Sequence, residues 1–548
     1  MNFLVLLLPV LYLVGAIAWV LLNRRQSALS LWAPIVTTAA GLAVAVALAG
    51  TAASLTLLRW EPALDFGGAI TFATDPITST FLVLIGAVAL AAALNRRSDL
   101  TAGGPHLVTA ALLVSSAAAA FVLANNLLTL ACAWVWLDAA SIMALRWRQD
   151  DPAPKALRVQ AFSLNYLTGL TLFVAAAATA AAGPMLSGAL WAPGMVNGLP
   201  ATLLALAAVV RLGAYPFHRN TPDAGSGPLA AWLRLVPLAV GAYLLARAAS
   251  LAVGPPISGV VWSILIAGAA VAAAGLAVSA SNRLDMLRWL AAYAGATLAQ
   301  GATVGGVLAA PLTIVGGVTL TLGMGVLFLA ESLPSARWVP WVRALAALAI
   351  LGLPLTLGFV YRWGVYNAGL DTGDGLTALI MAVAAAIAAG ALWATVRAPA
   401  TAAPPDPLPA VGVALLAVPL VVLGVAPSVL RAALEAAAGQ PTPDTLNAWL
   451  SSGGSALAAA LLIAVPIAVG WALARVRGRL LASAATQRRR SYLTLDWLYT
   501  LHWRPGGLVG QIYRSFRELF ENERYVGFIA VLALILGLIL LSQGQFPQ

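Results

Sequence analysis

The sequence predicts an all-α polytopic membrane protein, and three observations carry that reading. Of its 548 residues, 61% are hydrophobic and 9% charged, against about 25% charged in a soluble globule. The apolar residues fall in runs of about 20, the length that crosses a bilayer as a helix. Two of these runs are interrupted by prolines, glycines and an arginine, so a helix must break inside the membrane. Broken backbone at membrane depth is tolerated only where protein or a water-filled cavity covers it. Transporters keep their ion sites in such discontinuous spans.

Taken in order, the apolar runs place spans near 2–22, 30–58, 77–95, 105–124, 127–146, 160–182, 200–217, 228–250, 257–280, 288–308, 311–331, 343–367, 375–398, 407–430, 455–476 and 526–542. That is about 16 transmembrane helices. Asn2 to Leu22 lacks a basic leader and a cleavage site, so it reads as a retained first span rather than a signal peptide. Arg24, Arg25, Arg96, Arg97, the stretch Arg146 to Arg158, Arg283, Arg288, Arg337, Arg343, Arg397 and the stretch Arg475 to Arg490 all follow odd-numbered spans. Loops after even-numbered spans hold Glu61, Asp65, Asp371 and Asp374 instead. The positive-inside rule then puts the N-terminus on the non-cytoplasmic side of the cell inner membrane.

Several function classes fall away on composition. The net charge of +11 is distributed as loop arginines, which the positive-inside rule explains without nucleic acid. Cys132 stands alone, so the chain has no disulfide framework or thiol metal cluster. No Walker motif, nucleophile elbow or metal-ligand spacing occurs, and no cofactor is expected. The chain reads as a non-catalytic subunit.

The first break is Arg211-Leu-Gly-Ala-Tyr-Pro-Phe-His218, continuing through Pro222 to Gly227 and Pro228. The second is Pro354-Leu-Thr-Leu-Gly-Phe-Val-Tyr-Arg-Trp363. Pro216, Pro222, Pro228, Pro354 and Gly358 are the expected helix-breaking residues, and the two breaks suggest one unit used twice. Residues 478–525 differ from the rest: Asp496 to Tyr499 and Ile512 to Phe516 have the mixed apolar and basic faces of helices lying along a membrane surface. The stretches 399–409 and 436–454 read as simple connections.

Tyr215-Pro-Phe-His218, Pro222-Asp-Ala224 and Gly227-Pro228 resemble the signature of the antiporter-like membrane subunits shared by respiratory complex I, Mrp-type cation/proton antiporters and membrane-bound hydrogenases. Leu123 to Leu128, Asp285-Met-Leu-Arg288 with Ala292-Tyr293, Val326 to Leu329 and Leu355 to Phe359 resemble further pieces of that family in the same order. The span count and the lateral segment are most similar to its distal, largest member. The resemblance implies two inverted five-helix repeats, at 105–252 and 253–398. Helices 1–3 precede them at 1–104 and two helices follow at 399–477. An amphipathic lateral segment at 478–525 and a final transmembrane helix at 526–548 complete the chain.

The family is thought to move protons along a midplane chain of a glutamate and several lysines, and here that chain is altered. Val135 falls where the fifth-helix glutamate belongs, and Asp138 is one turn away. Asp138 reads either as its substitute, since an intramembrane carboxylate is a functional candidate, or as a partner of Arg146 or Arg158. Arg211 and Arg362 stand at the seventh- and twelfth-helix lysine positions, and arginine, unlike lysine, does not release its proton. Met324 and Leu320 stand where a lysine and a histidine belong. His218 titrates in the working range but is more often a helix-end cap. Arg234 is a candidate for an aqueous path, Arg247 reads as snorkelling to the interface, and Glu331 as an interfacial partner of Arg337. Asn125 and Asn126 are expected to turn the chain between spans 4 and 5.

The functional expectation is an antiporter-like membrane subunit of a multisubunit energy-coupling complex. It would translocate protons, or less readily sodium, through its broken helices, using Asp138, Arg211, His218, Arg234 and Arg362. Its expected partners are other membrane subunits, the lipid bilayer and cytoplasmic catalytic subunits. One alternative is a non-conducting scaffold, which the three lost relay positions favour. Another is the membrane partner of a two-component inorganic-carbon uptake system.

Overall fold

The computed structural model describes residues 3–25, 28–60, 68–95, 105–146, 198–220, 227–252, 254–304, 308–331, 338–396, 407–439 and 456–482, with single positions or short pieces at 165–175, 333, 490 and 492–495. The chain divides into two compact units, Met1–Arg490 and Ser491–Gln548. Of the second, only 492–495 is described. Span 16, most of span 6, Pro222 and nearly all of the lateral segment therefore lie outside the described residues.

Among the described residues, the first unit consists of helices and one two-stranded hairpin. Its N-terminal helices are α1 (Leu4–Arg24), α2 (Ala33–Leu48), α3 (Pro76–Asn95), α4 (Pro105–Leu123) and α5 (Leu127–Arg146). The middle of the chain gives α6 (Leu199–Arg211), α7 (Pro228–Leu251), α8 (Val260–Val278), α9 (Arg283–Gly301) and α10 (Ala309–Ala330). Then follow α11 (Val339–Leu351), α12 (Leu357–Asp371), α13 (Gly375–Val396), α14 (Pro407–Val425), the short α15 (Arg431–Ala438) and α16 (Ala456–Ala482). Among the described residues, nine helices are long and apolar enough to cross a membrane.

One expected span is shorter than the apolar run implied. Residues 30–58 do not form one helix: α2 ends at Leu48, and β1 (Ser54–Trp60) pairs antiparallel with β2 (Gly68–Ala73). Gly50 turns the chain between α2 and β1 at φ 83°, a backbone conformation that side chains disfavour. The hairpin is stitched to the α4–α5 turn, where Asn125 N–H donates to the Thr71 carbonyl and Asn126 Nδ2 to the Ala69 carbonyl. Asn126 Oδ1 also accepts from Thr129 N–H at 2.7 Å, capping α5. The two asparagines thus make the expected turn and anchor the hairpin as well.

Helices α7 and α10 pack on each other at the centre, and both are wholly buried. Around α7 stand α3, α4 and α6; around α10 stand α9, α11, α12 and α14. A helix apolar on every side belongs in such an interior, and α10 carries Leu320 and Met324 there as ordinary core residues, 4% and 0% exposed. Arg477 on α16 and Arg490 donate to the carbonyls of Val278, Ser279 and Ala280 at the end of α8, and Arg490 also pairs with Asp285.

Both breaks end a half-helix in the same way. At the end of α6, Gly213 (φ 65°) donates to the Val210 carbonyl and Ala214 to the Val209 carbonyl. At the end of α11, Gly352 (φ 78°) donates to the Ala349 carbonyl and Leu353 to the Leu348 carbonyl. This paired pattern is the Schellman motif, in which a left-handed glycine satisfies carbonyls that a helix end leaves open. The prolines follow: Pro216, after a cis bond from Tyr215, and Pro354. Pro228 sits in the first turn of α7, where a missing N–H costs nothing. Neighbouring glycines let backbone close over the breaks. A Cβ on Gly358 would fall 1.8 Å from the Ala349 carbonyl oxygen, and one on Gly241 of α7 would fall 2.9 Å from Leu212 N.

Candidate functional site: two broken helices and a buried ion pair

Arg211 is the last residue of α6, at the first break, and is 2% exposed. Its Nη2 lies 2.6 Å from Oδ1 of Asp138 on α5. Trp134, four residues before Asp138, projects from the same face of α5. Its ring lies under the guanidinium, 3.8 Å from centre to centre, and its Nε1 donates to the Asn165 carbonyl at 3.2 Å. Val135 points the other way and is 48% exposed. Asp138 thus pairs with Arg211, while Arg158 and the side chain of Arg146 lie outside the described residues. Removing one member of such a pair costs about 3–5 kcal/mol, because it leaves a buried charge uncompensated.

The second break is chemically different. Arg362 on α12 is 5% exposed. It donates from Nε to the Ile350 carbonyl at 3.1 Å, from Nη1 to Tyr366 Oη at 3.2 Å and from Nη2 to Tyr293 Oη at 2.5 Å. Among the described residues no carboxylate pairs with it. Its charge is met by two phenols and by the carbonyl end of α11, where the helix dipole presents partial negative charge. The half-helix that the break creates therefore supplies part of the counter-charge that a carboxylate supplies to Arg211.

His218 opens a 3-10 turn after the first break, with Nδ1 3.1 Å from the Pro216 carbonyl oxygen. Its ring centre lies 4.3 Å from that of Trp289 on α9 and 6.0 Å from that of Tyr215. The histidine ring is packed within the break against these two aromatic rings. Arg234 lies on α7, 7% exposed, with its guanidinium 5.7 Å from the Phe328 ring on α10. The structure thus brings Asp138 and Arg211 together and holds His218, Arg234 and Arg362 in separate settings.

Arg247 does not snorkel. It is 1% exposed, and its Nη2 lies 2.6 Å from Asp75 Oδ2 and 2.8 Å from Thr78 Oγ1, while Nε donates to Tyr243 Oη at 3.1 Å. Asp75 precedes α3 and accepts from Thr78 N–H at 2.7 Å as its cap. Burial pushes the Asp75 carboxyl up, but the Arg247 charge and the Thr78 hydrogen bonds outweigh it and hold the group below the usual carboxylate value. A capping signal was present in Asp75-Pro-Ile-Thr78, and the spacing of Tyr243 and Arg247 put them on one helix face. Nothing local linked the two. Glu331 likewise pairs with Arg283 at 3.2 Å and Arg343 at 3.3 Å, while Arg337 lies outside the described residues.

No family model matches the chain. Solved structures do. A chain of the Mrp complex from Dietzia sp. DQ12-45-1b superposes with a TM-score of 0.72 at 20% identity, covering 99% of this chain and 63% of that one. A chain of the archaeal membrane-bound sulfane sulfur reductase gives 0.64 at 17% identity, covering 97% of this chain and 99% of that one. A chain of respiratory complex I from Thermus thermophilus with bound NADH gives 0.62 at 18% identity, covering 82% and 100%. This chain spans under two thirds of the length of the Mrp-complex chain. The resemblance read from the first break and the fold agree: the chain has the fold of the antiporter-like subunits of multisubunit membrane complexes.

Proposed function

We propose that this protein is an ion-translocating, antiporter-like membrane subunit of a multisubunit energy-coupling complex, with the Asp138–Arg211 pair as its ion-handling centre. The observation that carries the reading is that pair, 2.6 Å apart and buried at the end of a broken helix. A carboxylate buried at membrane depth is costly to keep, and a half-helix end is where such folds place ion sites. The transported ion in this reading is a proton. It lodges on the Asp138 carboxylate and dissolves the charge attraction to Arg211, which keeps its own proton. Arg211 acts as a fixed charge that biases Asp138 rather than as a relay. Arg234, His218 and Arg362 extend the path on either side of this centre through bound water. The N-terminus lies on the non-cytoplasmic side, and cytoplasmic catalytic partners of the complex supply the driving reaction.

A second reading, a scaffold that no longer conducts, is favoured by the second break. Arg362 there has phenols and a carbonyl for partners, and Leu320 and Met324 are buried core residues of α10. The membrane partner of an inorganic-carbon uptake system shares the first reading's ion path and differs only in what docks on it. Proton flux in proteoliposomes of the purified complex separates conduction from scaffolding. Asp138→Asn, and Arg211→Ala with Arg362→Ala, are expected to lose flux while the complex still assembles. Unchanged flux in both variants would leave the scaffold reading.

A further inference from the structure

Building on the ion-translocating reading above, we propose that Asp75 and Arg247 form a closed gate at one end of the path, coupled to the Asp138–Arg211 pair through Tyr243, Phe121 and Trp134. The pair straddles a boundary: the Arg247 side chain is 1% exposed and that of Asp75 is 31% exposed. It lies at the end of the bundle opposite the Arg477 and Arg490 contacts. Those contacts hold the C-terminal end of α8, whereas Arg247 is near the end of α7, which connects directly to the start of α8.

The two ion pairs are joined by continuous packing. Tyr243, whose hydroxyl accepts from Arg247, meets Phe121 of α4 edge-on, with ring centres 6.2 Å apart. Phe121 lies 5.9 Å from Trp134, and Trp134 lies under Arg211. Arg247 and Tyr243 come from α7, Phe121 from α4, Trp134 from α5 and Arg211 from α6. Phenyl and indole rings pass no proton, so the link is steric, and close-packed interiors respond to a displaced side chain by switching between discrete arrangements.

The proton balance is simple. One proton goes onto Asp138 and later leaves it, and Asp75 stays ionised throughout. When Asp138 is neutral, Arg211 loses its counter-charge and shifts over Trp134. Phe121 and Tyr243 follow, and the Tyr243 hydroxyl withdraws from Arg247. The Asp75–Arg247 contact then opens and the outer end is hydrated. Asp75 and Arg247 are positioning residues in this scheme.

The test is passive proton leak and driven flux through the whole complex in proteoliposomes. The double variant Asp75→Asn, Arg247→Gln removes both charges together and leaves no buried unpaired ion. Its leak is expected to rise by about 5-fold or more, the lower end of ordinary coupling between sites, and to vanish when Asp138→Asn is added. Asp75→Glu should keep the gate closed. Tyr243→Phe retains both charges and the packing and should give a smaller leak with the same dependence on Asp138. Wild-type leak in both the double variant and Tyr243→Phe would overturn the gate. A leak that persists after Asp138→Asn would also overturn it, because a packing defect does not require Asp138. If Asp138→Asn leaves driven flux unchanged in the otherwise wild-type complex, the ion-translocating reading itself fails, whatever the leak shows.

Discussion

Gly213 and Gly352 stand at equivalent points of two breaks far apart in sequence. Each takes a left-handed conformation, and each heads a residue whose N–H reaches back to close the half-helix: Ala214 to Val209 and Leu353 to Leu348. The shared motif gives both half-helices a carbonyl end aimed into the bundle. One of these ends carries Arg211 itself. The other meets Arg362 from α12, through Ile350.

Substituting either glycine is therefore expected to destabilise the fold. A left-handed conformation costs a side chain about 1–2 kcal/mol. At Gly352 the new Cβ would also fall 2.6 Å from Arg362 Cδ. Thermal unfolding in detergent should rank Gly352→Ala below Gly213→Ala, and both below wild type.

The Asp138–Arg211 pair predicts strong non-additivity. Asp138→Asn and Arg211→Gln alone each leave a buried charge unmatched and should cost about 3–5 kcal/mol. The double variant should recover a large part of that loss in stability while proton flux stays absent. A double-mutant cycle on unfolding, run beside the flux assay, checks both halves of this statement.

Around Arg362 the hydroxyls are the partners to remove. Tyr293→Phe deletes an acceptor 2.5 Å from a guanidinium, and hydrogen bonds to charged groups contribute about 1.5–3 kcal/mol. Tyr366→Phe, whose hydroxyl is 3.2 Å away, should cost less. Unfolding midpoints of the two variants give the comparison.

Acid should weaken the Asp75–Arg247 contact. The folded carboxyl is held below its ordinary value, so its contribution is complete above the unfolded carboxylate value of about 3.9 and fades as pH falls below it. The melting temperature of wild type should therefore drop more steeply than that of Asp75→Asn between neutral pH and about pH 3, the range that spans that titration.

The break residues show what was readable in advance. Pro216, Pro228 and Pro354 stand out in the sequence because each lies in a cluster of proline, glycine and arginine. Proline alone does not break a span, since Pro237, Pro419 and Pro466 lie inside the continuous helices α7, α14 and α16. The glycines that shape the helix ends, Gly213 and Gly352, are equally local, but the chain has 49 glycines, and only the hydrogen-bond pattern distinguishes these two. The hairpin was missed because Ser54 to Leu58 continues an apolar run, and a short apolar stretch fits strand and helix alike.

A membrane protein of many helices, its two breaks and the resemblance carried by Tyr215 to His218 are legible in the residues alone. These depend on composition, run length and proline, which act within a few residues. Which charges meet is set by the packing of the helices. Asp138 and Arg211 lie 73 residues apart, and Asp75 and Arg247 lie 172 apart. In the membrane interior a charge must find its partner wherever the helices bring one within reach, and that choice is made by packing around α7 and α10, not by sequence spacing.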